Sequence, residues 1–433
     1  MMLEVILTQS PQIPMPGEIV NLSAPGFFAD PYPTLARLRR EAPVCRVKGV
    51  SFHTNTGWLV SRYEDVASVL KDPRLVNDRR NLTGGESTDR LHQPRALQLL
   101  QKLQPRMLLV LQNTMLVLDD PAHARARGLA QKAFTPRMIE ELAPKIQSIA
   151  DSLLDEATKK PMIDLIEDFA LPLPLIVISE MLGIPEAERF KFRKLVTHLL
   201  DSSPSNISRI AVSLFGNWQL IRYLDRLVEL RRREPDGGLI SAMLAAEEAG
   251  DRLTGDDVTG VVFILLVAGH ETTMNLIGSG MLALLDNPDQ LAALHKTPAL
   301  AKSAVEELLR FTNPIMHGVT RFAREDLEIG GVTIPKHSFI IAMLSSANRD
   351  ETVFSEADKL ILARDPNRHV AFGVGIHYCL GAPLARLEGA IALNALVQRF
   401  PNLKLAIGRE KVKWRSGGTL LRGLTALPVR LSG

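Results

Sequence analysis

The sequence predicts a mainly α protein with small β-sheets, folded as one unit. Three observations carry that expectation. Apolar residues at helical spacing dominate the chain, strand-like runs are few and short, and no repeat, low-complexity tract or charged linker divides it. Helical patterns cover residues 31–40, 137–158, 171–182, 187–200, 212–233, 254–285, 298–310 and 380–399. Short strands are expected at 44–47 and 57–60. Residues 327–329 and 332–334 flank Gly330-Gly331, a hairpin signal, and 338–344 reads as a buried strand.

Two helices carry their own delimiters. Thr297 stands at an N-cap position with Pro298 following, and the helix must end near Phe311 because Pro314 disfavours a helical Asn313. Thr254 with Asp257 three residues on forms an acidic variant of the capping box. It opens a helix of roughly thirty residues, roughly 45 Å long. Residues 261–268 are apolar on every side, so this helix runs through the interior.

Composition bounds the rest. With 433 residues, 46% hydrophobic and 23% charged, the chain can bury an extensive core and still hold a large cofactor. Its 51 Lys plus Arg against 48 Asp plus Glu give +3, no footing for nucleic acid. Two cysteines, Cys45 and Cys379, form no CxxC pair, which excludes a zinc ribbon and a covalent CxxCH heme site. The first ten residues hold Glu4 and no basic segment, and the longest apolar run, 261–269, is about half a membrane span. No signal peptide or membrane anchor is expected; the chain reads as cytoplasmic, with 1–29 an N-terminal extension.

Two motifs carry chemistry. Residues 372–381 read FGVGIHYCLG, a glycine loop that delivers Cys379 to a helix start. A cysteine there is favoured as thiolate by the helix dipole and unpaired N–H groups. Gly373, Gly375 and Gly381 would let backbone approach a flat ligand; a buried structural cysteine after a glycine turn is the plainer alternative. In the long helix the apolar run gives way to AGHETT at 268–273. Ala268 and Thr272 share a face and Gly269 lowers the wall between them, so a hydroxyl bonding back four residues would open a groove. The zinc motif HExxH needs histidine at 274, where Met274 stands. Gly373 and Gly375 lack the third glycine and the βαβ setting of a dinucleotide fingerprint.

Together the two segments resemble the cytochrome P-450 family, of soluble bacterial type. The resemblance runs from about residue 30 to 427 and is strongest after 254. It implies the family's triangular helical prism as a single domain over 1–433, with heme b (iron protoporphyrin IX) between the long helix and the cysteine helix. It also implies Cys379 as the axial thiolate, Phe372 packed on the proximal side, and Ala268, Gly269, Gly373 and Gly381 beside the cofactor. By the same resemblance Thr272 steadies the oxygen being activated and Glu271 feeds it protons. His123, Arg127, Arg321 and His377 match the family's propionate-binding positions, and Glu307 with Arg310 its buried Glu-x-x-Arg pair. The usual third partner, from an Arg-Phe dipeptide, is replaced at the corresponding place by Ala357-Asp358-Lys359-Leu360-Ile361, where Lys359 cannot form a bidentate fork.

The implied reaction inserts one atom of O2 into a C–H bond of a fairly large apolar small molecule. The chain holds no flavin or iron–sulfur module, so electrons are expected from a separate ferredoxin or flavodoxin-type donor with its reductase, docking near Arg125, Lys132 and Arg386. Substrate walls are expected at 76–117, 183–223, 315–319 and 419–420, with Arg79, Arg80, Arg90 and Arg95 as carboxylate candidates. A monomer is expected. A heme-thiolate sensor without turnover and a peroxide-driven enzyme are the alternatives.

Overall fold

The structure is a computed structural model that describes residues 19–22, 24, 26, 27, 30–51, 54–83, 110, 113–185, 187–189, 192, 195, 207–248, 255–415 and 420–431. Helices dominate, with three small sheets among the described residues. The six-stranded sheet runs in the order Val20–Asn21, Val44–Ser51, Thr54–Val60, Phe339–Ala342, Arg321–Ala323, Leu75–Val76. The glycine-centred hairpin forms as expected, pairing Leu327–Ile329 with Val332–Ile334.

The long helix spans Gly255–Asp286 and packs against Pro172–Met181, Ile207–Arg233, Ala301–Thr312 and the cysteine helix Ala382–Arg399. Its segment Val258–Asp286 is long and apolar enough to cross a membrane, yet 61% of its most apolar window is buried inside the protein. It is the axis of the core. Thr254 and its cap lie outside the described residues, as does most of the 187–200 pattern.

Several boundaries differ from expectation for identifiable reasons. The 137–158 pattern divides into Pro136–Glu141 and Ala143–Ala157. Pro144 has no N–H to give the Glu140 carbonyl and its ring crowds that oxygen. Thr297 makes no capping bond. The Leu300 N–H is already taken by the Thr297 carbonyl at 3.0 Å, so Pro298 opens a 3-10 turn and the α-helix proper is Ala301–Thr312. Asn313 then turns left-handed at φ 48, as Pro314 requires of a residue denied helical geometry. The expected strand 338–344 is shorter, Phe339–Ala342, and Leu344 already starts a helical turn. Tyr63–Lys71, Leu239–Glu248 and Pro288–Lys296 are helices beyond those expected.

Candidate active site

The cysteine loop is built by backbone bonds and two left-handed glycines. Cys379 N donates to Phe372 O at 3.0 Å and Tyr378 N to Gly375 O at 3.1 Å, closing the loop on itself. Gly373 and Gly375 have φ of +67 and +80, which other residues rarely adopt. The close approach at Gly375 is to the protein's own chain, not to a ligand: a Cβ would sit 2.9 Å from Leu70 O. At Gly373 a Cβ would meet nothing within 4 Å. The Cys379 thiol is pushed above its ordinary value by burial, while the backbone amides of Gly381 and Ala382 and the charges of Arg127 and Arg386 pull the other way. The dipole and amides expected from the sequence are therefore present, but in the bare chain burial outweighs them. Cys45 and Cys379 are both free.

Behind the loop, Arg386 stacks on the Phe372 ring at 4.5 Å and donates to Glu306 at 2.6 and 3.0 Å. Arg386, expected near the donor's docking surface, is also engaged in that ion pair. His369 Nδ1 accepts from Ala371 N, which leaves its Nε2 to donate to Glu306 at 3.0 Å.

Four basic groups gather beside the loop. His123 and Arg127 share the helix Ala122–Ala133, and the His123 and His377 rings lie 4.2 Å apart. Asn77 joins them unannounced by the sequence, with Nδ2 2.9 Å from His377 Nε2. Burial pulls His377 down to about 3, and Arg321, His123 and Arg127 add to the pull. Arg321 is buried, and its Nη2 reaches Leu70 O only at 3.5 Å, beyond good geometry. Burial lowers its pKa to about 10 against the attraction of Asp119. Asp119 itself accepts from Asn77 N and Asp78 N. Basic groups that depress one another's charge in a buried place fit an anion.

On the long helix, Thr272 Oγ1 donates to Ala268 O at 2.7 Å and Thr273 Oγ1 to Gly269 O at 3.1 Å, the back-bonding expected from the spacing. Ala268 is exposed in mid-helix although Leu266 and Thr273 are buried, and a Cβ on Gly269 would meet nothing within 4 Å. A helix with an open centre and a cluster of basic groups around Arg127 and Arg321 fit a flat, doubly anionic cofactor such as heme. Glu271 pairs with Arg415 at 3.0 Å. His270 donates from Nδ1 to Leu266 O, while its buried Nε2 has no partner. From the cysteine helix, buried Glu388 approaches Thr273, and burial pushes its carboxyl up to about 8.

Glu307 and Arg310 form the expected buried pair at 2.8 Å. The third partner is Arg364, not Lys359: its Nε donates to both Glu307 oxygens, at 3.2 and 3.1 Å. Lys359 contributes only its backbone carbonyl, which accepts from Arg310 Nη2 at 2.9 Å. Arg80 is paired with Asp78 at 2.6 Å, and Arg79 lies over Phe322. Arg90, Arg95, Thr419, most of 76–117 and part of 183–223 lie outside the described residues.

Comparison with known proteins gives the family. The cytochrome P450 family profile matches residues 102–297 and 298–416. The polyketide biosynthesis cytochrome P450 PksS of Bacillus subtilis (strain 168) is 40% identical, over 94% of this chain and 97% of that protein. The 6-deoxyerythronolide B hydroxylase of Saccharopolyspora erythraea is 37% identical, over 96% and 99%. Among solved structures, the myxobacterial cytochrome P450 CYP267B1 in complex with myristic acid superposes with a TM-score of 0.84 at 38% identity, covering 95% of this chain and 99% of that one. The chain belongs to the cytochrome P450 family and has its fold. Its activity is that of a monooxygenase acting on small molecules.

Proposed function

We propose that this P450 binds heme b through Cys379 and hydroxylates a fairly large apolar small molecule, with electrons from a separate ferredoxin or flavodoxin-type donor and its reductase. The observation that carries this reading is the basic cluster of buried His123 and Arg321 with half-buried Arg127 and His377, the last of these two residues from Cys379. Those four side chains would hold the propionates; Phe372, Gly373 and Gly381 would face the proximal side, and Ala268 and Gly269 the distal side. Bound there, heme supplies oxygen activation, with thiolate donation favouring O–O cleavage.

The chain's own residues do the rest. Thr272 offers a hydroxyl beside the opened helix, with its proton resting on the Ala268 carbonyl. Glu271, half-shielded and beside Arg415, holds and passes protons. Glu307, Arg310 and Arg364 lock the segment that precedes the cysteine loop. Apolar Ile315, Met316 and Leu420 are placed to exclude water and orient substrate. The names of the relatives, which include a polyketide-biosynthesis enzyme and a hydroxylase of 6-deoxyerythronolide B, support a bulky apolar substrate. The donor would dock around exposed Ile376 and Tyr378, with Arg125 nearby in the basic cluster's helix. A cytoplasmic setting fits an intracellular electron supply.

The test is the absorption spectrum of the reduced, carbon-monoxide-bound protein. The wild type should give the thiolate-ligated band, and Cys379→Ser should abolish that band and all product formation. A Cys379→Ser protein with unaltered spectrum and turnover would falsify the assignment.

A further inference from the structure

Glu271 takes its counter-ion from the far end of the chain. Arg415 Nη1 donates to Glu271 Oε1 at 3.0 Å, and its Nη2 reaches Met274 Sδ at 3.3 Å. The guanidinium is held from behind as well, because Nε donates to Leu424 O at 3.2 Å. The backbone that carries it is equally fixed. Arg415 N donates to Gly423 O at 2.9 Å, Thr425 N to Lys413 O at 2.9 Å, and Trp414 bridges Leu424.

This C-terminal hairpin is seated directly on the long helix. At Gly423 a Cβ would fall 1.9 Å from Asn275 Oδ1 and 2.5 Å from its Cγ, so any side chain there would have to push the buried Asn275 amide aside. Asn275 lies one helical turn beyond Glu271, so the seat and the ion pair belong to neighbouring turns of one helix. The same hairpin touches the expected substrate wall. Leu421 bridges Ile315, and Arg422 N donates to Pro314 O at 2.9 Å.

We infer that Arg415 is a positioning residue for proton delivery, fixing the Glu271 carboxylate and its charge through a hairpin that also contacts the substrate wall at Ile315. The inference rests on the reading of Glu271 as the proton relay. Burial pushes the Glu271 carboxyl up, and Arg415 pulls it back down by charge and hydrogen bonding. His270, beside it on the helix, is kept neutral by burial, with Arg415 adding to the effect. Glu388, approaching Thr273 from the cysteine helix, is itself pushed up to about 8 by burial and adds little charge at neutral pH. Arg415 is therefore the cation that sets the acid.

A carboxyl whose folded pKa exceeds its unfolded value contributes its stability at low pH and loses it as pH rises through the folded value. Removing Arg415 raises the folded value further. The decisive experiment is urea unfolding of the heme-loaded full chain at pH 6 and pH 8 for wild type, R415Q, E271Q and the double variant. R415Q should lose more stability at pH 8 than at pH 6, and that extra loss should be absent in the E271Q background. A loss of equal size at both pH values, or in both backgrounds, overturns the inference. In turnover, the pH profile of product formed per electron consumed should move to higher pH in R415Q and part of the way back in R415K. A profile that drops in height without moving also overturns it. Should R415Q not accumulate, R415K carries the same comparison with a smaller shift of the same sign. The unfolding measurement needs no product, so failure here is distinct from failure of the heme-thiolate reading, which the carbon monoxide spectrum reports.

Discussion

The Glu307 network and the groove of the long helix are both buried polar islands, and they are completed in opposite ways. Glu307 accepts from Arg310, Arg364, Asn367 and the Ile361 N–H, while Arg310 spends its remaining donors on the carbonyls of Asn348, Ala357 and Lys359. The carboxylate and the guanidinium of the pair hold nothing in reserve; among the described residues only the Asn367 Oδ1 at the network's rim lacks a partner. In the groove, Thr272 and Thr273 give their protons to their own helix, the His270 Nε2 has no partner and Ala268 is exposed. Polar groups that satisfy one another make a strut; polar groups left in reserve make a place for a ligand.

The strut should break hardest. Arg310→Met removes one of two cations from a carboxylate that is 0% exposed and strips the carbonyls of Asn348, Ala357 and Lys359 of their donor, and breaking a buried pair in this way costs about 3–5 kcal/mol. The midpoint of denaturant unfolding measures it. A cost under about 1 kcal/mol would mean the network is not structural, and the contrast with the groove would fail.

The groove should respond in the opposite sense. Thr272→Ala deletes a hydroxyl that, among the described residues, bonds to its own helix, so stability should stay within about 1 kcal/mol of wild type. Chemistry should suffer instead, with less product per oxygen consumed and more peroxide released. Peroxide and product are assayed together. A variant that unfolds but remains fully coupled would reverse the roles of the two regions.

Glu306 offers a milder probe of the proximal side. Burial alone would push its carboxyl up, but donors from His369 and Arg386 more than offset that and bring it down to about 2. A depressed carboxylate stabilises the fold above its unfolded pKa, and that contribution is lost as pH falls from the ordinary 4.5 through about 2. Glu306→Gln should therefore flatten the acid limb of the stability curve across that window. Unfolding followed by circular dichroism between pH 6 and pH 2 would show it; an unchanged acid limb would mean Glu306 is not the group that titrates.

How much of this was legible in the sequence depends on how far apart the partners lie. Short-range facts were legible: the hydroxyl back-bond of Thr272, the Glu307–Arg310 pair and the glycine hairpin each join residues within seven positions. The Pro144 break is local too, yet helical periodicity on both sides of it masked the missing N–H. Arg415 could not be found by spacing, because 144 positions separate it from Glu271 and only the seat at Gly423 brings them together. Arg386 shows the same limit: its charge is visible in the sequence, but its partner Glu306 is 80 positions away.

Lys359 and Arg364 show the distinction at its finest. By position Lys359 stands where a third member of the Glu307 network is expected, yet its side chain is 69% exposed and pairs with Glu356. The network uses only its main-chain oxygen, which any residue supplies. Arg364 is 8% exposed and divides its guanidinium between Glu307 and the carbonyls of Ser355, Glu356 and Lys359. An ammonium cannot span those acceptors, so Arg364→Lys should cost about 1–3 kcal/mol by leaving some of them unpaired. Lys359→Ala, changed in the same background and unfolded in the same denaturant series, should leave the midpoint where it was. If instead the lysine variant at 364 is silent and the alanine at 359 is costly, the charge at 359 reaches Glu307 after all, and the network's third cation has been assigned to the wrong residue.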